Sequence, residues 1–384
     1  MTASLVIAAA YLGQLTLKAL LASRYARHTR HLPATPASAT TPVSILQPIL
    51  SGDPQLASTL ESNRHTFPTA HFLWLIDETD PEATLICENL ASRFPAQPIH
   101  VLRCAPPPQG INPKAHKLAL ALPLVTTSVF VVLDDDTRLS PAGLTALIGG
   151  LDSGATLATG LPRYHAANGR FSPWLAEFVN SAAVLTYLPA LAVSPPVSIH
   201  GMCYALRTAD ARRLNVFETI SRALTDDLAL AVELQRHGLK IHQTIEPHDI
   251  ATSVPSFSAL LHILHRWFLF TRLLLTACPL SQKIGISAAY ALPPFLLITL
   301  TALAFTSWSA ALVLTATLLL REVVLATVTR QFLGRATSSR REPFASALLE
   351  IAQPAFLLAA TLHTTIRWRT RTIRVRSVTD FEYL

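Results

Sequence analysis

The chain has 384 residues, half of them hydrophobic and only 14% charged, and its mean hydropathy of +0.37 excludes a disordered or wholly soluble protein. Lys plus Arg number 31 against 24 Asp plus Glu, a formal charge of +7, but the basic residues stand beside apolar stretches instead of forming one stripe. That pattern reads as membrane orientation and not as nucleic-acid binding. Cys87, Cys104, Cys203 and Cys278 are widely spaced with no CxxC pair, which points to neither a zinc site nor a disulfide framework. Lysine is scarce beside abundant Ala, Pro and Arg, as in a GC-rich bacterial genome.

Residues Ala3 to Leu21 form an apolar run long enough to cross a bilayer, followed at once by Arg24, Arg27 and Arg30. Residues 1–30 are read as an uncleaved anchor with the N-terminus outside and the following chain in the cytoplasm. No Lys or Arg precedes the run and no small-x-small site follows it, against a cleaved signal peptide.

Residues 43–255 alternate short apolar runs with amphipathic stretches, the pattern of an α/β domain with a mostly parallel sheet. "PVSILQPIL", "HFLWLID", "IHVLRC" and "VFVVLDDD" read as strands, and Gln55–Asn63, Pro81–Phe94 and Lys114–Leu122 as helices between them. Acids cluster at two strand ends: Asp77 and Asp80 in "LIDETD", and Asp134, Asp135 and Asp136 in "LDDD". Such ends are where open α/β sheets bind ligands. Adjacent carboxylates after an apolar strand repel one another unless a cation or donor neutralises them. Alternate residues point the same way, so Asp134 and Asp136 are placed to share a hard divalent ion completed by phosphate oxygens. A third acidic group opens the amphipathic helix of "LTDDLALAVELQRHG". Asp226 fits its N-cap or first turn, and Asp227, just inside, can point back to the cleft as a general base.

The segment 256–280 is apolar apart from His262, His265, Arg266 and Arg272 and suits the membrane interface. Arg266 and Trp267 read equally well as an interfacial anchor or as a contact to diphosphate and acceptor. Apolar blocks then run over residues 284–366. Arg321 and Glu322 lie inside one of them, where opposite charges pair or face a polar crevice. The basic loop from Arg330 to Arg341 is expected in the cytoplasm. The last block, Phe344 to Ile366, contains Glu350 and Pro354 and has basic residues at both ends, which favours a re-entrant or broken hairpin or an interfacial helix. Residues 367–384 are read as a basic cytoplasmic tail.

In order along the chain, "DETDPEA", "GINPKAHKLALAL", "LDDDTRLSP", "TGLPRY", "GMCYALR", "LTDDLALAVELQRHG" and the HRW segment resemble the inverting, membrane-bound ceramide glucosyltransferases and their bacterial relatives acting on other lipids. The resemblance implies a GT-A (nucleotide-diphospho-sugar transferase) α/β domain with N-terminal and C-terminal transmembrane helices. It implies binding of the donor nucleotide sugar by Asp77 or Asp80, by Asn112 and Lys114 in "GINPK", and by Asp134. It gives Mg²⁺ or Mn²⁺ to Asp134 with Asp136, the catalytic base to Asp227, and acceptor or diphosphate contacts to Arg266 and Trp267. The first position of the family's (Q/R)xxRW motif is Ile263 here, which counts against a processive polysaccharide synthase. The expected reaction transfers glucose or a related hexose from a UDP-sugar to a hydroxyl of a membrane lipid such as ceramide, in the bacterial inner membrane with the catalytic domain in the cytoplasm. Hopanoid or undecaprenyl phosphate acceptors, a polymerising synthase and a non-catalytic scaffold are the alternatives.

Overall fold

The computed structural model describes residues 2–30, 42–95, 99–334, 342, 344–368 and 371–384. Helix α1 (Thr2–Arg30) is followed by β1 (Val43–Pro48), α2 (Leu56–Thr66), β2 (His71–Asp77), α3 (Pro81–Ser92), β3 (Ile99–Cys104), α4 (Pro113–Ala121), β4 (Val129–Leu133), β5 (Thr137–Arg138), α5 (Pro141–Asp152) and β6 (Leu157–Ala166). Next come α6 (Ser172–Ala182), a π-helical turn (Ala183–Tyr187), α7 (Leu188–Leu191), β7 (Cys203–Arg207), α8 (Thr208–Arg213), α9 (Val216–Thr219), α10 (Asp226–Arg236) and β8 (Ile241–Thr252). The chain ends with α11 (Phe257–Ala277), α12 (Leu280–Ala304), α13 (Trp308–Leu333), α14 (Ala345–Leu362), β9 (Thr365–Trp368), β10 (Arg371–Val375) and β11 (Phe381–Tyr383). Two compact units result: a helical one of α1, the end of β6 from Arg163, α6, α7 and α11 to α14, and an α/β one carrying the rest of the strands and the other helices.

The α/β unit is built on an eight-stranded sheet of order β3-β2-β1-β4-β7-β6-β8-β5. Strands β1 to β4 pair in parallel; β7 is antiparallel to both β4 and β6, and β5 is antiparallel to β8. The expected parallel sheet is therefore one half of a mixed one. The central strands read as continuous apolar runs because both faces are covered. Ile45, Trp74, Val131 and Leu133 pack with Leu60 of α2, Cys87 of α3 and Leu147 of α5. Their neighbours Leu46, Leu75, Phe130 and Val132 turn to the other face, against Leu118 of α4, Phe217 of α9 and Leu230 of α10.

Three helices on this sheet start the same way, with a capping side chain and proline at the first helical position. Asp80 accepts from the Ala83 N–H, Asn112 from Lys114 and Ala115, and Ser140 from Gly143. Each cap stabilises by about 1 kcal/mol, and the proline loses nothing where an N–H would be unpaired anyway.

The basic tail folds. β9, β10 and β11 form an antiparallel sheet that belongs to the α/β unit, and the Leu224 N–H donates to the Val378 carbonyl at 2.8 Å. Ile366, Ile373, Val375 and Phe381 are buried. The arginines between them hide a period-two strand pattern beneath a positive charge that reads as membrane orientation.

In the helical unit, α1, α12, α13 and α14 are, among the described residues, the four helices long and apolar enough to cross a membrane. Over 344–366 there is no broken hairpin: α14 runs without interruption past Pro354. Arg321 meets not only its neighbour Glu322, at 2.7 Å, but also Glu350 of α14 at 2.7 Å, the Tyr11 hydroxyl at 2.8 Å and the Ser346 hydroxyl at 2.8 Å. The buried guanidinium thus ties α1, α13 and α14 together, its one positive charge shared between two carboxylates. The basic loop expected after Arg330 lies, from residue 335 to 341, outside the described residues.

Candidate active site

The chain builds β1, β2 and β3 outward in one direction, then places β4 on the other side of β1. Between β1 and β4 is therefore the topological switch point, the place where open α/β sheets bind ligands beyond the carboxyl ends of their strands. The residues leaving β1 are fixed there by charged side chains. Lys117 Nζ donates to the Ile49 carbonyl at 2.7 Å, the Leu50 N–H to Asp135 Oδ2 at 2.8 Å, and the Ser51 N–H to Asp80 Oδ2 at 2.9 Å.

The first acid block is turned into this scaffold. Asp77 pairs with Lys117 at 3.2 Å, both side chains 5% exposed. Burial alone raises the Asp80 pKa, but the N–H groups of Ala83 and Ser51 and the charge of Lys117 outweigh it, leaving Asp80 below the usual carboxylate range. Asn112 is also bound into the fold. Its Oδ1 caps α4 while its Nδ2 donates to the carbonyls of Ala223 and Leu224, both at 3.0 Å. Its backbone N–H donates to the Ser221 carbonyl at 2.7 Å. It thereby joins the start of α4 to the segment that leads into α10.

That junction sets Lys114 among acids from two motifs. Its ammonium lies 2.7 Å from Asp134 Oδ1 and 3.3 Å from Asp226 Oδ2, and donates to the Gly201 carbonyl at 2.8 Å. All three N–H groups have partners. Burial acts to lower the Lys114 pKa, but Asp134 and Asp226 overcome it and hold the ammonium well above its ordinary value. For Asp134, burial prevails over Lys114, and its pKa is raised, with Asp226 and Asp135 adding to the rise.

Asp227 follows in the first turn of α10, its Oδ1 accepting from the Leu228 N–H at 2.7 Å. Burial, then the neighbouring Asp226, push its pKa up to about 7. A Cβ at Gly201 would stand 3.0 Å from the Asp227 Cβ, so glycine there lets the loop before β7 pass close to this carboxylate. Asp226 is the residue that the sequence conceals. An acid in a helix's first turn has a local reason to be there, and only the adjacent pair of acids hinted at more. Arg207, at the other end of β7, meets Asp152 at 2.9 Å at the surface, and Cys203 is fully buried.

Among the described residues, no three or more His, Cys, Asp and Glu side chains are grouped to hold a metal ion. Asp134 and Asp136 are partly exposed while Asp135 between them is buried, and Asp136 Oδ1 accepts from the Thr137 hydroxyl at 3.0 Å. A set of one or two hard carboxylate oxygens fits an ion such as Mg²⁺ that takes its other ligands from phosphate and water. The charge also fits a cation, since Asp134, Asp226 and Asp227 gather around one ammonium. Arg266 and Trp267 lie on α11 in the helical unit. There Trp267 packs edge-on against Tyr164, with ring centroids 6.3 Å apart.

A mixed sheet with carboxylates gathered beyond its switch point is the architecture of the GT-A glycosyltransferases. The model of glycosyl transferase family 21 matches residues 5–380, and the chain belongs to that family, the ceramide glucosyltransferase family. No match is found among curated proteins. Among solved structures, the mannosyltransferase PcManGT from Pyrobaculum calidifontis, in complex with GDP-Man and Mn²⁺, is similar over 94% of this chain and 96% of its own. Its sequence identity is 15% and the TM-score 0.50, so the likeness is one of fold. A glucosyl-3-phosphoglycerate synthase from Mycobacterium tuberculosis, with Mn²⁺, UDP and phosphoglyceric acid, is similar over 63% of this chain and 78% of its own, at 17% identity and TM-score 0.37.

Proposed function

We propose that this glycosyltransferase moves a hexose, glucose or a close relative, from a UDP-sugar to a hydroxyl of a membrane lipid such as ceramide, inverting the anomeric carbon, at the cytoplasmic face of a bacterial inner membrane. The observation that carries the reading is Asp227, whose carboxyl is pushed up to about 7 beside the Lys114, Asp134 and Asp226 cluster. A carboxylate of that basicity is matched to removing a proton from an alcohol near neutral pH. Asp227 takes the acceptor hydroxyl proton as that oxygen bonds to the anomeric carbon and the bond from the sugar to UDP breaks. Lys114 presents a fixed positive charge where the leaving diphosphate gains negative charge. Asp134 with Asp136 would hold Mg²⁺ or Mn²⁺, which would supply further charge neutralisation at the diphosphate. Asp77, Asp80 and Asn112 serve the donor by positioning, through the Ile49–Ser51 loop and the start of α4, and Arg266 with Trp267 serves the acceptor.

A solved relative in fold that holds a nucleotide sugar with Mn²⁺ supports the metal. Titration calorimetry tests it: UDP-sugar binding is expected to need Mg²⁺ or Mn²⁺ and to be lost in Asp134→Ala. Equal binding by the variant, or binding indifferent to chelator, refutes this role.

The chain leaves the α/β unit after β8 and returns to it at β9. With the whole α/β unit on one side of the bilayer, as in this reading, the helices between cross it an even number of times. With α12 and α13 crossing out and back, α14 starts and ends on the cytoplasmic side, in keeping with the basic residues on both its flanks and with Glu350 inside it. In sealed inside-out vesicles, a single introduced thiol at Ser377 is expected to react with an impermeant maleimide and one at Ser307, between α12 and α13, to be protected. Labelling of both residues from the same face contradicts this topology.

A further inference from the structure

The helical unit holds a partly open cavity of about 590 Å³, within the range of sites that bury a single small ligand. Its wall is mainly apolar, with residues such as Leu15, Phe178, Phe268 and Pro294, yet α1 turns Gln14 and Lys18 into it. These two are one helical turn apart on the same face. Polar and charged side chains inside a membrane helix are costly and point to a function. Gln14 Nε2 makes a long 3.5 Å contact with the Ala288 carbonyl, while its Oε1 is buried with no hydrogen-bond partner. Lys18 Nζ donates to the Ala289 carbonyl at 2.7 Å, leaving two of its three N–H groups for other acceptors. Two further features face the same space. Trp267, which the sequence associates with the acceptor, lines it, as do Leu185 and Thr186 of the π-helical turn, a distortion frequent at functional sites.

We infer that this cavity is a lipid site. It takes a lipid whose chains fill the apolar part and whose amide N–H or hydroxyl donates to Gln14 Oε1, with a neighbouring lipid oxygen accepting from Lys18. An orphan acceptor demands a donor, and the ester linkages of a diacyl phospholipid provide acceptors only. A lipid with an amide or free hydroxyl where its chains meet its head satisfies both residues. The inference rests on the lipid-transfer reading in naming that lipid as the acceptor, and it gives α1 a part in binding beyond that of an anchor.

The test uses the full chain in phosphatidylcholine nanodiscs without donor, and a ceramide carrying a diazirine in its N-acyl chain. Photolabelling is expected on residues 11–18 and 286–295, competed by ceramide and not by added phosphatidylcholine. Gln14→Leu is expected to raise the half-saturating ceramide concentration about tenfold, the loss of one hydrogen bond, and Ala291→Trp to abolish labelling by filling the cavity. Both variants are expected to bind UDP as the wild type does. Labelling elsewhere, or labelling unchanged in both variants, overturns the site. If ceramide labels the cavity but receives no sugar, the site stands and the transfer reading falls. If ceramide is glycosylated with the wild-type KM by both variants, the transfer reading stands and the site falls.

Discussion

Asp227→Asn is expected to lower kcat for sugar transfer by about a thousandfold while leaving UDP-sugar binding within a factor of two, because the amide fills the same space but cannot take a proton. In the wild type, kcat/KM is expected to fall about tenfold per pH unit below pH 7, since only the ionised carboxylate is a base and burial beside Asp226 raises its pKa to about 7. The same shift acts on stability. With the folded pKa above the unfolded one, the native state binds more protons between them, so this group's contribution to stability falls as pH rises from about 4 to 7 and is flat above. Asp227→Asn should therefore melt higher than the wild type at pH 8 and at the same temperature near pH 4, a gain in stability bought with function. A variant that is active, or less stable at pH 8, would show that Asp227 is no strained base.

Lys114→Met is expected to be the most damaging single change in the α/β unit. The lysine is 16% exposed, and its partners Asp134 and Asp226 are 27% and 13% exposed, so its removal leaves two poorly hydrated carboxylates beside Asp227 with no ammonium among them. Breaking a buried pair in this way costs about 3 to 5 kcal/mol. The loss is expected to shrink at pH 5, where Asp227, with its pKa pushed up to about 7, is protonated, and Lys114→Arg is not expected to restore activity, because a planar guanidinium cannot reproduce three contacts around a compact ammonium. Thermal unfolding in detergent at pH 7.5 and pH 5, together with UDP-sugar binding, checks this. Wild-type melting and binding in Lys114→Met would mean that the cluster has no electrostatic role.

What could be read from the residues is what has a local cause. "HFLWLID" and "VFVVL" are recognisable because strands covered on both faces must be apolar throughout, and α12 and α13 because a bilayer imposes their length. The helix read from Pro81 begins there because a capping residue precedes a proline, and the one read from Lys114 begins one residue earlier, at Pro113, for the same reason. What stayed hidden is what depends on distant partners. Asp226 has a satisfying place in its own helix, and its pairing with Lys114 exists only once α4 and α10 meet through Asn112. The sequence could not separate Asp77 from Asp80. The fold gives Asp77 to Lys117 and Asp80 to Ser51 and the α3 cap. Gln14 and Lys18 look like blemishes in an anchor until the other helices form a cavity beside them. The strands after α14 were concealed by their arginines, whose charge reads as topology when half of the pattern is a buried face.

The most direct measurement is transfer of label from radioactive UDP-sugars into organic-extractable lipid, with membranes containing the wild type or Asp227→Asn, with and without Mg²⁺ or Mn²⁺. The predicted result is label in one discrete lipid, dependent on metal and lost in the variant. Label that stays in a growing water-soluble polymer, or equal transfer by Asp227→Asn, would contradict the account.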